Sequence, residues 1–253
     1  MSIESKVIDD IIIITIREPA TKNGLDLVTI PLLKEAIGAA STRKDAKFLV
    51  LRGVKGWFCI GGSGEFMEHT LDQKFAERKR LVEQVQSVIL ELLRSPLLTV
   101  SIVDGLAAGA GADLALASDL VLVTGNTRVS LLYARLGLVP DTGFKLLEWR
   151  FGSRALLTYA ESKTLVSDDL IRYEWAEIVQ DMAEDKQLKR YLHRRFRHNS
   201  NAYASAKQIR NSNQFGDIDE QLSQVAHRQA EALGRKEVRD RLLHSASAQR
   251  AVK

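Results

Sequence analysis

Residues 1–180 alternate short apolar runs with segments of helical spacing, and that alternation constrains the fold more than any other feature. Parallel strands need a long crossover, usually a helix. Strand–helix–strand repetition therefore specifies a mostly parallel sheet with right-handed crossovers. Val7-Ile8 and Ile11 to Ile16 predict a β-hairpin, because β-branched residues flank the two-acid turn Asp9-Asp10. Leu27 to Ala40 carries apolar residues at helical spacing, with Pro31 tolerated in the first turn. Phe48 to Leu51 is a short buried-type strand closed by Arg52-Gly53. A glycine-bearing loop, Val54 to Gly64, leads into a long helix expected over Phe66 to Leu93 and ended before Pro96. Leu97 to Val103 is the next strand. The small-residue run Gly105 to Ala112 follows, then helix over Asp113 to Ala117 and strand over Leu120 to Val123. From about Asp185 onward the pattern is helical and polar. Leu222, Val225, Ala226, Ala230 and Leu233 lie on one side of the segment Ile218 to Leu243. That face must bury against the core or a neighbouring subunit.

A chain of 253 residues suits one large domain, or a domain with a helical appendage. No apolar run reaches the ~18 residues needed to span a bilayer, so no membrane role is expected. Ile11 to Ile14 follows Asp9 and Asp10 and lacks a basic flank, so it is a strand and not a signal peptide. Cys59 is the sole cysteine; no internal disulfide can form, and a cytoplasmic address is the default. The net charge of +4 admits phosphate-bearing small ligands, an acidic protein partner or nucleic acid. Its basic residues concentrate in Lys189 to His198, which is a solvated helix face or a docking surface for such a partner. No nucleic-acid motif surrounds that run, and the histidine spacings propose no metal site.

Two glycine-rich turns carry the candidate chemistry: Phe58-Cys59-Ile60-Gly61-Gly62-Ser63-Gly64 and Gly109-Ala110-Gly111-Ala112-Asp113. Each follows a strand and precedes a helix, an arrangement that leaves N–H groups pointing out of a helix start. Two such groups meeting at one point make an oxyanion hole. Taken alone, either turn reads first as an ordinary tight turn with close helix–strand packing. Neither is a P-loop, since no Gly-Lys-Ser/Thr follows, and Gly109-x-Gly111 lacks the third glycine of a dinucleotide fingerprint.

Four stretches occur in a specific order: Thr21-Lys22-Asn23-Gly24-Leu25, Phe58 to Ser63, Val103 to Asp119, and Arg135 to Gly143. Together they resemble the crotonase (enoyl-CoA hydratase/isomerase) superfamily over roughly residues 5 to 180. The resemblance implies an α/β fold: a crotonase-like ββα superhelix, or spiral, over residues 1–185, with a C-terminal helical region at 186–253. That region would serve in trimer contacts and active-site capping, in a homotrimer or hexamer. The resemblance further implies an acyl-CoA or acyl carrier protein thioester as ligand. Coenzyme A or phosphopantetheine would be the substrate carrier, with no other cofactor. The N–H groups of Gly62 and Ala110 would form the oxyanion hole, with Lys22, Gly61, Ser63, Glu65 and Gly109 as substrate or CoA contacts. Lys22 and Lys55 are loop point charges suited to CoA phosphates.

The pattern departs from the hydratases at two positions. They carry Glu where this chain has Asp113 and a second Glu where it has Tyr133. Asp113 is shorter by about 1.5 Å, roughly one C–C bond, and a base must lie ~2.6–3.2 Å from the proton it moves. Tyr133, with an ordinary pKa near 10, is a hydrogen-bond donor and not a carboxylate base at neutral pH. Asp141 stands where the dehalogenase branch places a nucleophilic Asp; capping the following helix is its other role. Three functions follow. The first is a lyase or isomerase with Asp113 as its single acid/base and Tyr133 as donor. The second is a decarboxylase of the polyketide β-branching type, suggested by Gly61-Gly62-Ser63-Gly64-Glu65, with Arg80 or Lys79 holding the leaving carboxylate. The third is a catalytically silent thioester-binding protein.

Overall fold

A computed structural model describes residues 2–54, 56–180 and 184–251. One sheet holds β1 (Ile3–Ile8), β2 (Ile11–Ile16), β3 (Phe48–Gly53), β5 (Leu98–Val103), β7 (Leu120–Val123) and β10 (Glu177–Ile178), in that order. A second holds β4 (Trp57–Cys59), β6 (Leu106–Ala108), β8 (Arg128–Ser130) and β9 (Thr164–Val166). The helices are α1 (Thr29–Ser41), α2 (Gly64–Asp72), α3 (Phe75–Arg94), α4 (Ala110–Ala117), α5 (Tyr133–Leu136) and α6 (Gly143–Phe151). They continue with α7 (Ala155–Glu161), α8 (Ser167–Arg172), α9 (Asp185–Arg195), α10 (Ser200–Phe215), α11 (Ile218–Ala232) and α12 (Lys236–Ala251).

β1 and β2 form the expected hairpin, with Ile8 opposite Ile11 and Asp9 at φ 52 in the turn. Pairing is parallel from β2 through β10, so crossovers lie on the faces. The units β3–β4–α2, β5–β6–α4 and β7–β8–α5 each step from the first sheet to the second and then into helix. This is the anticipated ββα spiral. Both faces of the first sheet are covered. Ile12, Ile14, Leu49 and Leu51 pack with residues of α1, α3 and α4 on one side. Ile11, Ile13, Phe48 and Val50 pack with Leu188 and Leu192 of α9 on the other. The basic run is thus the outer face of a packed helix, and part of its charge is matched: Lys189 pairs with Asp9, His193 with Asp10 and Arg195 with Glu177.

Two expected helices prove to be pairs. The Phe66–Leu93 segment breaks where Gln73 and Lys74 are extended, at ψ 159 and 163. The Ile218–Leu243 segment breaks after Ala232. In consequence α11 packs along α3 and α12 along α2 of the same chain, and these contacts cover the apolar face of the tail. A buried ion cluster ties α10 to the sheet: Lys207 Nζ is 2.6 Å and Arg210 Nη1 2.9 Å from the two oxygens of Asp119.

Candidate active site

Strands β4 and β6 are parallel neighbours, so the turns that leave them lie side by side at their carboxyl ends. Glycine makes this approach possible. Gly61 has φ +79, and a Cβ there would stand 2.9 Å from Ala108 O and 3.1 Å from Ala110 N. The peptide of Gly62 is fixed on both sides by Leu25, which donates to Gly61 O (2.7 Å) and accepts from Ser63 N (2.8 Å). Ala110 opens α4, where the first N–H groups have no intrahelical partner. Neither the Gly62 N–H nor the Ala110 N–H has an acceptor among the described residues. Both residues line one cavity of about 150 Å³, otherwise walled largely by apolar side chains such as Phe66, Val85, Leu136, Leu138, Leu233 and Leu242.

Opposite the turns stands a carboxyl–phenol–carboxyl array. Tyr133 Oη lies 3.1 Å from Asp113 Oδ2 and 3.3 Å from Asp141 Oδ2. Thr142 donates to Asp113 Oδ2 through its N–H (3.2 Å) and its hydroxyl (3.0 Å), while Gln229 Nε2 donates to Asp141 Oδ1 (3.1 Å). Burial, reinforced by the Asp141 charge, pushes the Asp113 carboxyl up to about 7. Burial also raises Asp141 above the ordinary carboxylate range, opposed by the bonds from Gln229 and Tyr133. Tyr133 is held well above its usual value by burial and the two carboxyls, so it stays protonated.

The sequence model of the enoyl-CoA hydratase/isomerase family matches residues 7–159. The chain belongs to that family. Among curated relatives, the candidate enoyl-CoA hydratase/isomerase YhaR of Bacillus subtilis is 34% identical over 142 residues, covering 55% of this chain and 54% of that protein. Human mitochondrial methylglutaconyl-CoA hydratase is 28% identical over 134 residues, covering 53% of this chain and 39% of that protein. The chain thus spans about half or less of the length of these relatives. The solved enoyl-CoA hydratase of Bacillus halodurans superposes with TM-score 0.87 at 22% identity, covering 96% of this chain and 99% of that one. A candidate polyketide-biosynthesis enoyl-CoA hydratase of Bacillus subtilis superposes with TM-score 0.81 at 18% identity, covering 98% of both chains. These likenesses establish the crotonase fold.

In this crotonase the cavity gathers Gly61, Gly62, Gly109, Ala110, Tyr133 and Asp141. Asp113, expected as the single acid/base, does not line it. That carboxyl is fully buried behind Tyr133, because the Asp113 side chain leaves α4 toward α5 and the 137–142 turn and not toward the cavity that Ala110 lines. Asp141 does not cap α6, whose N-cap is Thr142; its carboxyl is bound by Gln229 and Tyr133 and reaches the cavity. Three further expected contacts, Ser63, Glu65 and Lys22, lie outside the cavity lining. Ser63 is spent as the N-cap of α2, accepting from Phe66 N at 3.1 Å, and Glu65 in the first turn of that helix points to solvent. Lys22 lies outside the cavity lining, with Nζ 5.1 Å from the Trp57 ring, and Lys55 lies outside the described residues. Arg80 pairs with Glu77 and Lys79 with Glu83 away from the cavity; no lysine or arginine lines it among the described residues. Cys59 is buried, and burial pushes its thiol up to about 12, as befits a packing residue. Gln229, Leu233 and Leu242 are site residues that sequence reasoning missed as such; the apolar stripe of the tail was their only signal.

Proposed function

We propose that this family member is an acyl-thioester isomerase that moves a double bond along an uncharged acyl chain carried by coenzyme A or phosphopantetheine. The observation that carries the reading is that Asp141 is the one carboxylate among the described cavity-lining residues. Asp141 takes a proton from C2 of a β,γ-enoyl thioester, and the C–H electrons pass into a dienolate. Its oxygen charge is held by the N–H groups of Gly62 and Ala110, which act on charge that develops only in the transition state. The protonated Asp141 then returns the proton to C4, giving the α,β-enoyl product. One carboxylate suffices for such a shuttle, whereas water addition in the hydratases draws on two. The absence of a lining cation among the described residues argues against decarboxylation, since a second carboxylate on the substrate would face Asp141 unpaired. Assembly as a homotrimer or hexamer belongs to this proposal on the family resemblance alone.

The test is a panel of a β,γ-enoyl-CoA, crotonyl-CoA and a malonyl-type CoA. Conjugation of the β,γ-enoyl thioester should appear by ultraviolet absorbance and fall about 10²–10⁴-fold in Asp141→Asn, with thioester binding retained. Faster water addition to crotonyl-CoA, or release of carbon dioxide, refutes the isomerase. Tight binding with no turnover in the wild type makes the protein a binder.

A further inference from the structure

Asp113 Oδ2, Tyr133 Oη and Asp141 Oδ2 stand in a row with a single phenolic proton between them. A phenol donates once. With both carboxyls ionised, one of the two contacts would set lone pair against lone pair, and two negative charges would flank the same hydroxyl. One more proton belongs in the array, and the burial of each carboxyl decides where it sits. Thr142 donates twice to Asp113 Oδ2, which by itself favours the anion, but Asp113 is fully buried and its Oδ1 has no partner among the described residues. An ionised carboxylate offers about four acceptor sites. Leaving one of its oxygens bare inside protein costs more for the anion than for a neutral carbonyl. Asp141 has one neighbour on each oxygen and opens on the cavity. Asp141 is therefore the anion and Asp113 the acid.

We propose that Asp113 is a positioning residue: a neutral acid beneath Tyr133 that donates to the phenol oxygen and so turns the one phenolic proton onto Asp141. The inference rests on the reading of Asp141 as the base and adds what controls it. Ionised Asp113 is an acceptor only. The phenol then turns back to Asp113, and Asp141 loses its donor while gaining a negative neighbour. The groups acting on the three from α4, α5, the 137–142 turn and α11 are each other, Thr142 and Gln229, with no cation among the described residues. Turnover should therefore fall as pH rises through the ionisation of Asp113, placed at about 7.

Two measurements test this on the full chain. Wild-type kcat should fall about tenfold for each pH unit above that ionisation. Asp113→Asn keeps a donor for the phenol but cannot ionise, so whatever kcat it retains should no longer fall. Independently of turnover, infrared difference spectra should show a buried protonated-carboxyl band in the wild type. That band should vanish as pH rises and be missing from Asp113→Asn. An alkaline fall that survives in Asp113→Asn, or a wild type without the band, overturns the proposal. A band with no turnover of any thioester would sink the isomerase reading and leave the protonation of Asp113 standing.

Discussion

Gly111→Ala probes the spacing on which the oxyanion hole depends. A Cβ at Gly111 would stand 2.0 Å from Cys59 O and 2.6 Å from Cys59 C. Both atoms are main chain, so no side chain can swing aside. An ordinary carbon–oxygen contact is about 3.3 Å, so β4 and α4 must part by about 1 Å or more. Gly62 lies three residues beyond Cys59, and Ala110 immediately precedes Gly111, so the parting pieces carry the two amides. A misplacement of about 1 Å at a reacting centre costs about 10²-fold, and overpacking of this kind costs about 1–3 kcal/mol of stability. We expect kcat/KM for the β,γ-enoyl thioester to fall about hundredfold, with a matching loss of urea stability. Gly125 has no atom within 4 Å of its would-be Cβ, so Gly125→Ala is the control, expected within about 0.5 kcal/mol of wild type. Undiminished turnover in Gly111→Ala would refute the claim that the Gly62 and Ala110 amides act together on one oxygen.

Other outcomes follow from the buried charges. The Asp113 carboxyl is raised from 3.8 to about 7, so between those values the folded protein holds a proton that the unfolded chain has released. Stability must therefore fall with rising pH across that window, at ~1.4 kcal/mol per unit. From about pH 5 to about pH 8 the wild type should lose about 2–3 kcal/mol relative to Asp113→Asn in urea unfolding; parallel curves would contradict the assignment. Just before β7, Asp119→Ala would leave Lys207, with 3% of its side chain exposed, as a buried cation without its counter-charge. A loss of about 3–5 kcal/mol is expected, partly recovered when Lys207→Met is added. A single-variant loss below about 1 kcal/mol would show that water reaches the cluster.

The features legible in the sequence were those whose cause is local. Gly61 and Gly111 announce a close backbone approach because the absence of Cβ is a property of the residue itself. The hairpin at Asp9-Asp10 follows from β-branched neighbours in the same few residues. The three-residue strands of the second sheet are too short to show an alternation, and Gln73-Lys74 breaks a helix without the glycine or proline that usually signals it. The site divides along the same line. Gly62 and Ala110 act through main-chain N–H groups, whose direction is set by the turn they belong to. Asp113 and Asp141 act through side chains, and the chain alone does not say which carboxyl faces the cavity. Residue 113 was weighed by its reach, one methylene short of Glu, but reach is not the deciding variable. Tyr133 stands between that carboxyl and the cavity, and Gln229, 88 residues beyond Asp141 in the sequence, holds the other carboxyl at the wall. A backbone site can be inferred from a motif, whereas the roles of two acids sharing one phenol become readable only when α4, α5 and α11 have packed.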